Sequence, residues 1–236
     1  MVRLTLQITT KFSRYLHLIY GKISCFYKGV KKSKSSTLNS SEYLSFNELV
    51  IYKSPSDHYS INSAEVIELF YNLRTDVDKL NYATTISKMI YDVTEENIPA
   101  PDILQLFLNT LYVISETDKN LDLIFCVFRI RLLAILGFLP QIATCIDCGK
   151  PMTEDMNEFY FSIKDDGVKC DSCQKLDKSI IKLSKTTFSA LIYTLSCDSK
   201  KLFSFEIPEE DLQELKLICK IYTAQKLEKE YDIMNI

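Results

Sequence analysis

The sequence predicts an α+β fold: a small N-terminal β-barrel, then an α-helical domain interrupted by a cysteine-bearing β-hairpin. Three observations predict it. The first 60 or so positions hold short β-rich runs bounded by turn formers. From about residue 62 the hydrophobic period lengthens to between three and four. Two C-x-x-C pairs, with β-rich sequence between them, then divide the helical part. A chain of 236 residues that is 47% hydrophobic can bury a sizeable core. The expected limits are 1–60 for the barrel, 61–142 and 176–236 for the two parts of the helical domain, and 143–175 for the insertion.

The elements follow in order. ISCFYKGV comes after the turn Tyr20-Gly21-Lys22 and is rich in β-formers. LSFNELVIYKS, Leu44 to Ser54, reads as a second strand, and the Ser/Thr/Asn-rich stretch Ser33 to Ser41 as the loop between them. Several short strands in about 60 residues are too few for two sheets, and closing them into a barrel removes their edges. Asn62 with Glu65 has the spacing of a capping pair that opens a helix. Val77, Leu80, Ala83, Ile86, Ile90 and Val93 mark one face of the next helix. Pro101 suits the first helical position of a segment reaching Ser115, whose apolar residues go most of the way round and predict a central helix. A further helix runs from Asn120 to about Phe138 and must stop near Pro140.

FYFSI followed by Asp165-Asp166-Gly167 is a hairpin signal. Phe188, Leu191, Ile192 and Leu195 then give a short amphipathic helix. Pro208 opens the last one, where Glu209, Glu210 and Asp211 complement the helix dipole and Leu212, Leu215, Cys219 and Tyr222 form the apolar stripe. The longest apolar stretch, LLAILGFLPQIA, is shorter than the roughly 20 residues a membrane-spanning helix needs. No secretory signal is expected at the start of the chain. The basic, acid-free composition there also suits a transit peptide, but Phe26, Tyr27 and the Gly21 turn point to folded structure.

Charge is divided unevenly. Residues 1–41 carry eight Lys or Arg and no Asp or Glu; the other 195 residues carry 20 basic and all 31 acidic ones, so +8 faces −11 within a chain of net charge −3. Such a split predicts a polyanion-binding N-terminal unit on an acidic body. Lys28, Lys31, Lys32 and Lys34 concentrate it around Gly29, just after Phe26 and Tyr27. Lysines of this kind supply phosphate contacts and aromatic rings stack on unpaired bases. Strand residues alternate faces, so at least one of Phe26 and Tyr27 should point inward to the core.

Of eight cysteines, Cys145, Cys148, Cys170 and Cys173 make two matching knuckles, CIDC and CDSC. The 21 residues between them suffice for a hairpin that brings the second pair back to the first. Four thiolates arranged tetrahedrally suit Zn²⁺, with iron in a rubredoxin-like site as the alternative. With every position filled by protein no water can be activated, so the site is expected to be structural. Cys25, Cys126, Cys197 and Cys219 lie in apolar sequence and are expected to be small buried hydrophobes. Arg129 and Arg131, two apart on a mostly apolar helix, should face different ways, at least one of them in a structural pair with an acidic residue of the helical bundle. His17 and His58 have no neighbouring partners in sequence, and no phosphate loop, nucleophile elbow or H-E-x-x-H occurs. An enzyme is therefore not expected.

Three stretches together resemble the RecO family of bacterial recombination mediators. They are YGKISCFYKGVKKSKS, FRIRLLAILGFLP leading into Cys145-Ile146-Asp147-Cys148-Gly149, and Phe161-Ser162 with Gly167-Val168 before Cys170. The helix-plus-knuckle stretch is the specific one, and the likeness covers nearly the whole chain. The resemblance implies an OB-fold barrel, a helical domain and a zinc-finger-like insertion. It implies a non-catalytic, cytoplasmic, nucleoid-associated DNA-repair protein that binds single- and double-stranded DNA and anneals strands. It would act with RecR and single-strand-binding protein to load RecA. Lys22, Lys28, Lys31, Lys32 and Lys34 carry over as DNA contacts, with Arg14 joining on charge alone. The competing expectation is a zinc-containing interaction scaffold that reaches DNA only through a partner; a metal-dependent nuclease is a distant third.

Overall fold

A computed structural model describes residues 2–7, 14–27, 42–55, 58–153, 156, 158–174 and 180–233. They fall into two compact units, Met1–Thr117 with Ile233–Ile236, and Asp118–Asp232.

The first unit begins with five strands: β1 (Val2–Gln7), β2 (Arg14–His17), β3 (Gly21–Tyr27), β4 (Phe46–Lys53) and β5 (Tyr59–Glu68). Their pairings run in a ring, β1-β2-β3-β5-β4 and back to β1, which is a closed barrel. All neighbours are antiparallel except β3 and β5, which pair in parallel through Cys25–Tyr27 and Tyr59–Ile61. This is the topology expected of an OB-fold. Alternation along the strands fills the interior with Tyr15, Ile23, Cys25, Leu49, Ile51, Tyr59 and Ile61. The Cys25 thiol is pushed up to about 12 by burial, so it behaves as the small hydrophobe the sequence suggests.

One sequence expectation fails here. Asn62 and Glu65 do not open a helix; they lie in β5, which continues to Glu68. Their spacing fits a capping pair, but β4 offers a partner along the whole segment, from Lys53↔Tyr59 to Phe46↔Glu68, with two register shifts. Tertiary pairing overrides the local signal. The first helix of the unit is the single turn α1 (Asn72–Thr75). It is followed by α2 (Val77–Val93), opened by Asp76 accepting from the Lys79 amide, and α3 (Pro101–Glu116) with proline at its start. Ala83, Ile86 and Ile90 on the expected face of α2 are buried, whereas Val77 at its start is exposed.

The second unit opens with α4 (Leu121–Ile135), capped by Asn120 accepting from the Leu123 amide. Every residue from Leu123 to Ile130 is buried. The helix surrounded on all sides is thus α4 rather than α3, which keeps Gln105 and Tyr112 exposed. Arg129 is buried within that run; its guanidinium lies over the Phe125 ring at 4.0 Å and donates to the Tyr231 carbonyl. Arg131 turns elsewhere and donates to the carbonyls of Leu195 and Cys197. α4 ends where Gly137 adopts φ +90°.

A three-stranded antiparallel sheet follows, ordered β7-β6-β8, from β6 (Phe159–Ser162), β7 (Gly167–Cys170) and β8 (Ile180–Leu183). α5 (Lys185–Ser196) and α6 (Glu209–Leu227) complete the unit. Phe159 stacks on Phe188 at 3.9 Å and Phe161 meets Tyr222 edge-on at 5.5 Å, so β6 is packed on both helices. Leu212, Leu215, Cys219 and Tyr222 are all buried, as their stripe predicts. Among the described residues no helix is long and apolar enough to cross a membrane.

Candidate functional site: a four-cysteine centre and a basic strand

The two knuckles are built alike. In the first, the Gly149 amide donates to the Cys145 carbonyl at 2.9 Å, and Gly149 takes φ +72°. In the second, the Gln174 amide donates to the Cys170 carbonyl at 3.2 Å after a 3-10 turn over Asp171–Cys173. The Ile146 amide donates to Val168 at 3.0 Å and fastens the first knuckle to β7. Gly167 is required for this approach: a Cβ there would meet the Gln141 carbonyl oxygen and Ile146 Cγ2 at 2.6 Å each. The tight position in the turn falls instead on Asp166, with φ +58°.

These contacts bring the Sγ atoms of Cys145, Cys148, Cys170 and Cys173 within 4.8 Å of one another. Cys148 and Cys170 are 3.8 Å apart. Sulfurs at the corners of a tetrahedron around a metal with bonds of about 2.3 Å are separated by about 3.8 Å, so the thiols fit such an ion. Burial opposes ionisation of Cys145, but amides of Cys170, Cys148 and Asp147 outweigh it and bring its thiol down to about 6. Cys173 is pushed up to about 12, chiefly by its hydrogen bonds to Cys148 and Cys170. Cys148 is exposed and Cys145 and Cys170 are buried, so the centre sits at the surface with its inner half anchored. Beside it the buried Lys169 pairs with Asp147 at 3.2 Å and Asp165 at 2.9 Å. Sequence reasoning gave no sign of that clamp.

The remaining cysteines stand apart. Cys25, Cys126 and Cys219 are buried, and Cys197 is half-buried beside Arg131.

The basic segment is seen only in part. Lys28, Lys31, Lys32 and Lys34 lie outside the described residues. Lys22 and Arg14, which are described, both lie against the Tyr91 ring. Lys22 is only 8% exposed; its ammonium donates to the Tyr91 carbonyl at 2.8 Å and lies 4.2 Å from the centre of that ring. Arg14 is half-buried, lies over the same ring at 5.2 Å and donates to the Tyr91 hydroxyl. His17 is buried too; its Nδ1 accepts from the Ile19 and Tyr20 amides at 3.0 and 2.9 Å, closing the turn before Gly21.

Fold and site define an α+β protein in which a five-stranded barrel and its helices form one unit and a four-thiol hairpin with three further helices forms another. Residues 74–232 match the family model described as recombination protein O C terminal. The chain is 40% identical over 211 residues to the DNA repair protein RecO of Acetivibrio thermocellus, spanning 89% of this chain and 82% of that one. It is 29% identical over 209 residues to the protein of the same name from Alkaliphilus metalliredigens, spanning 89% and 83%. The chain belongs to the RecO family of DNA repair proteins.

Proposed function

We propose that this chain is a non-catalytic DNA-binding protein of recombinational repair that holds and re-pairs DNA strands. In this reading it acts in the bacterial cytoplasm, at the nucleoid. It works there with RecR and single-strand-binding protein so that RecA is loaded on gapped DNA. The observation that carries the reading is the charge division: eight basic and no acidic residues in positions 1–41, in the segment that supplies β1 to β3. Lys28, Lys31, Lys32 and Lys34 hold phosphates and release counterions, which requires no base-specific contact. Two strands held by such a surface lose much of their mutual repulsion, which favours pairing. Cys145, Cys148, Cys170 and Cys173 hold one Zn²⁺ that braces the hairpin and has no open position for chemistry.

The test is fluorescence anisotropy of labelled single- and double-stranded oligonucleotides with the isolated protein, at about 50 and 200 mM salt. A salt-sensitive affinity is expected, falling by orders of magnitude if several phosphates are neutralised. Isolated protein that ignores both oligonucleotides at the lower salt would sink the reading and leave the interaction scaffold in its place.

A further inference from the structure

The last carbonyls of a helix have no partner within the helix and carry its negative end. In α2, which ends at Val93, the Ile90 carbonyl is taken by the Thr94 amide and hydroxyl. The Tyr91 carbonyl is taken by Lys22, from a strand of the barrel. The Tyr91 ring meanwhile lies against two cations from adjacent strands, Lys22 on β3 and Arg14 on β2. The backbones continue the contact. The Asn97 amide donates to the Lys22 carbonyl at 3.0 Å, Lys22 bridges to Glu96, and Tyr59 of β5 donates to Asn97 Oδ1 at 3.3 Å. Burial lowers the Lys22 ammonium, while Glu96, Asp92 and Glu95 act to keep it charged.

We infer that Lys22 is a latch rather than a DNA contact: with Tyr91 it ties β3 to the end of α2 and so positions the strand that leads into the lysines at 28–34. This rests on the DNA-binding reading above for its consequence, though not for its geometry. A lysine whose ammonium is spent inside the protein adds nothing to counterion release. Its loss loosens the root of the basic segment, and all phosphates are then gripped less well without any one contact being deleted.

The test compares Lys22→Met, Lys22→Arg and the parent, with Tyr91→Leu as a second probe should Lys22→Met fail to fold. Hydrogen exchange of the Asn97 amide is expected to quicken about tenfold in Lys22→Met and to recover in Lys22→Arg. DNA dissociation constants should rise by the same factor, about three- to tenfold, at every salt concentration, with the slope of log K against log[salt] unchanged. A slope flattened by about 0.9 would make Lys22 a phosphate contact and overturn the latch. Unchanged exchange and unchanged affinity would overturn it as well. If the parent itself binds no DNA, the functional reading fails separately, and Asn97 exchange alone decides the latch.

Discussion

Gly21 lies so close to Ile98 that a Cβ on it would sit 1.7 Å from the Ile98 carbonyl oxygen. Its φ of +65° is also one that a side chain disfavours. The glycine is therefore fixed by two separate requirements at the point where β3 meets the segment after α2. Gly21→Ala should destabilise the protein by more than about 2 kcal/mol, since backbone on both sides must move. Urea denaturation measures it; a loss within about 0.5 kcal/mol would show that the close approach is dispensable.

Metal content is the direct check on the cysteine centre. Elemental analysis of protein purified without added metal should give one ion per chain, with zinc and iron told apart in the same measurement. Stripping it should expose the hairpin at 143–174 to protease, because a structural site contributes folding free energy on the order of 10 kcal/mol. Cys148→Ser should act in the same direction. Identical digestion patterns with and without metal would remove the structural role.

Replacing Lys31, Lys32 and Lys34 together by Ala tests the basic segment. If about five phosphates are neutralised, the duplex salt slope is about −4.5 in the parent, and three lost contacts flatten it by about 2.7. The loss should be similar for all sequences. A triple variant with the parent's slope would place the DNA contact elsewhere.

Arg131 closes the end of α5 through the carbonyls of Leu195 and Cys197. Arg131→Met keeps the apolar stem and removes the donors, so it should cost about 1–3 kcal/mol in thermal or urea unfolding. A neutral substitution would mean that water replaces the guanidinium without penalty.

Tyr222 offers a pH test. Burial first, and the Asp166 carboxylate second, raise its phenol well above the usual 10.0, while its hydroxyl donates to the Phe138 carbonyl at 3.1 Å. The folded state holds this proton more tightly than the unfolded chain. Its contribution is whole below pH 10 and is lost as the pH rises from there towards the folded value. Tyr222→Phe should cost about 1 kcal/mol near neutrality and make the stability curve shallower above pH 10. Parallel alkaline curves for the two proteins would exclude the effect.

Much of this molecule could be read from residue order because its signals are local. The knuckles at Cys145 and Cys170 match each other, and each closes with the same amide-to-carbonyl bond. Pro101 and Pro208 mark helix starts, and Leu212, Leu215, Cys219 and Tyr222 keep helical spacing and are buried. Asn62 and Glu65 show where the same reasoning fails: a capping pair is an opportunity, and β4 offered a better one. Lys22 is a different case: its place beside a run of lysines suggests phosphate, while the Tyr91 carbonyl that its ammonium reaches lies 69 residues away in the chain.

Sequence alone therefore determined the class of fold, the four cysteines that come together and the division of charge, because each depends on residue type at short spacing. Only the tertiary structure decided how the barrel closes, since the parallel pairing of β3 with β5 joins segments that share no turn. It also decided that α4 is buried on every face from Leu123 to Ile130 and that Lys22 and Arg14 lie over a tyrosine ring. Each of those outcomes is a competition among distant partners for burial and hydrogen bonds, and no local pattern encodes who wins it.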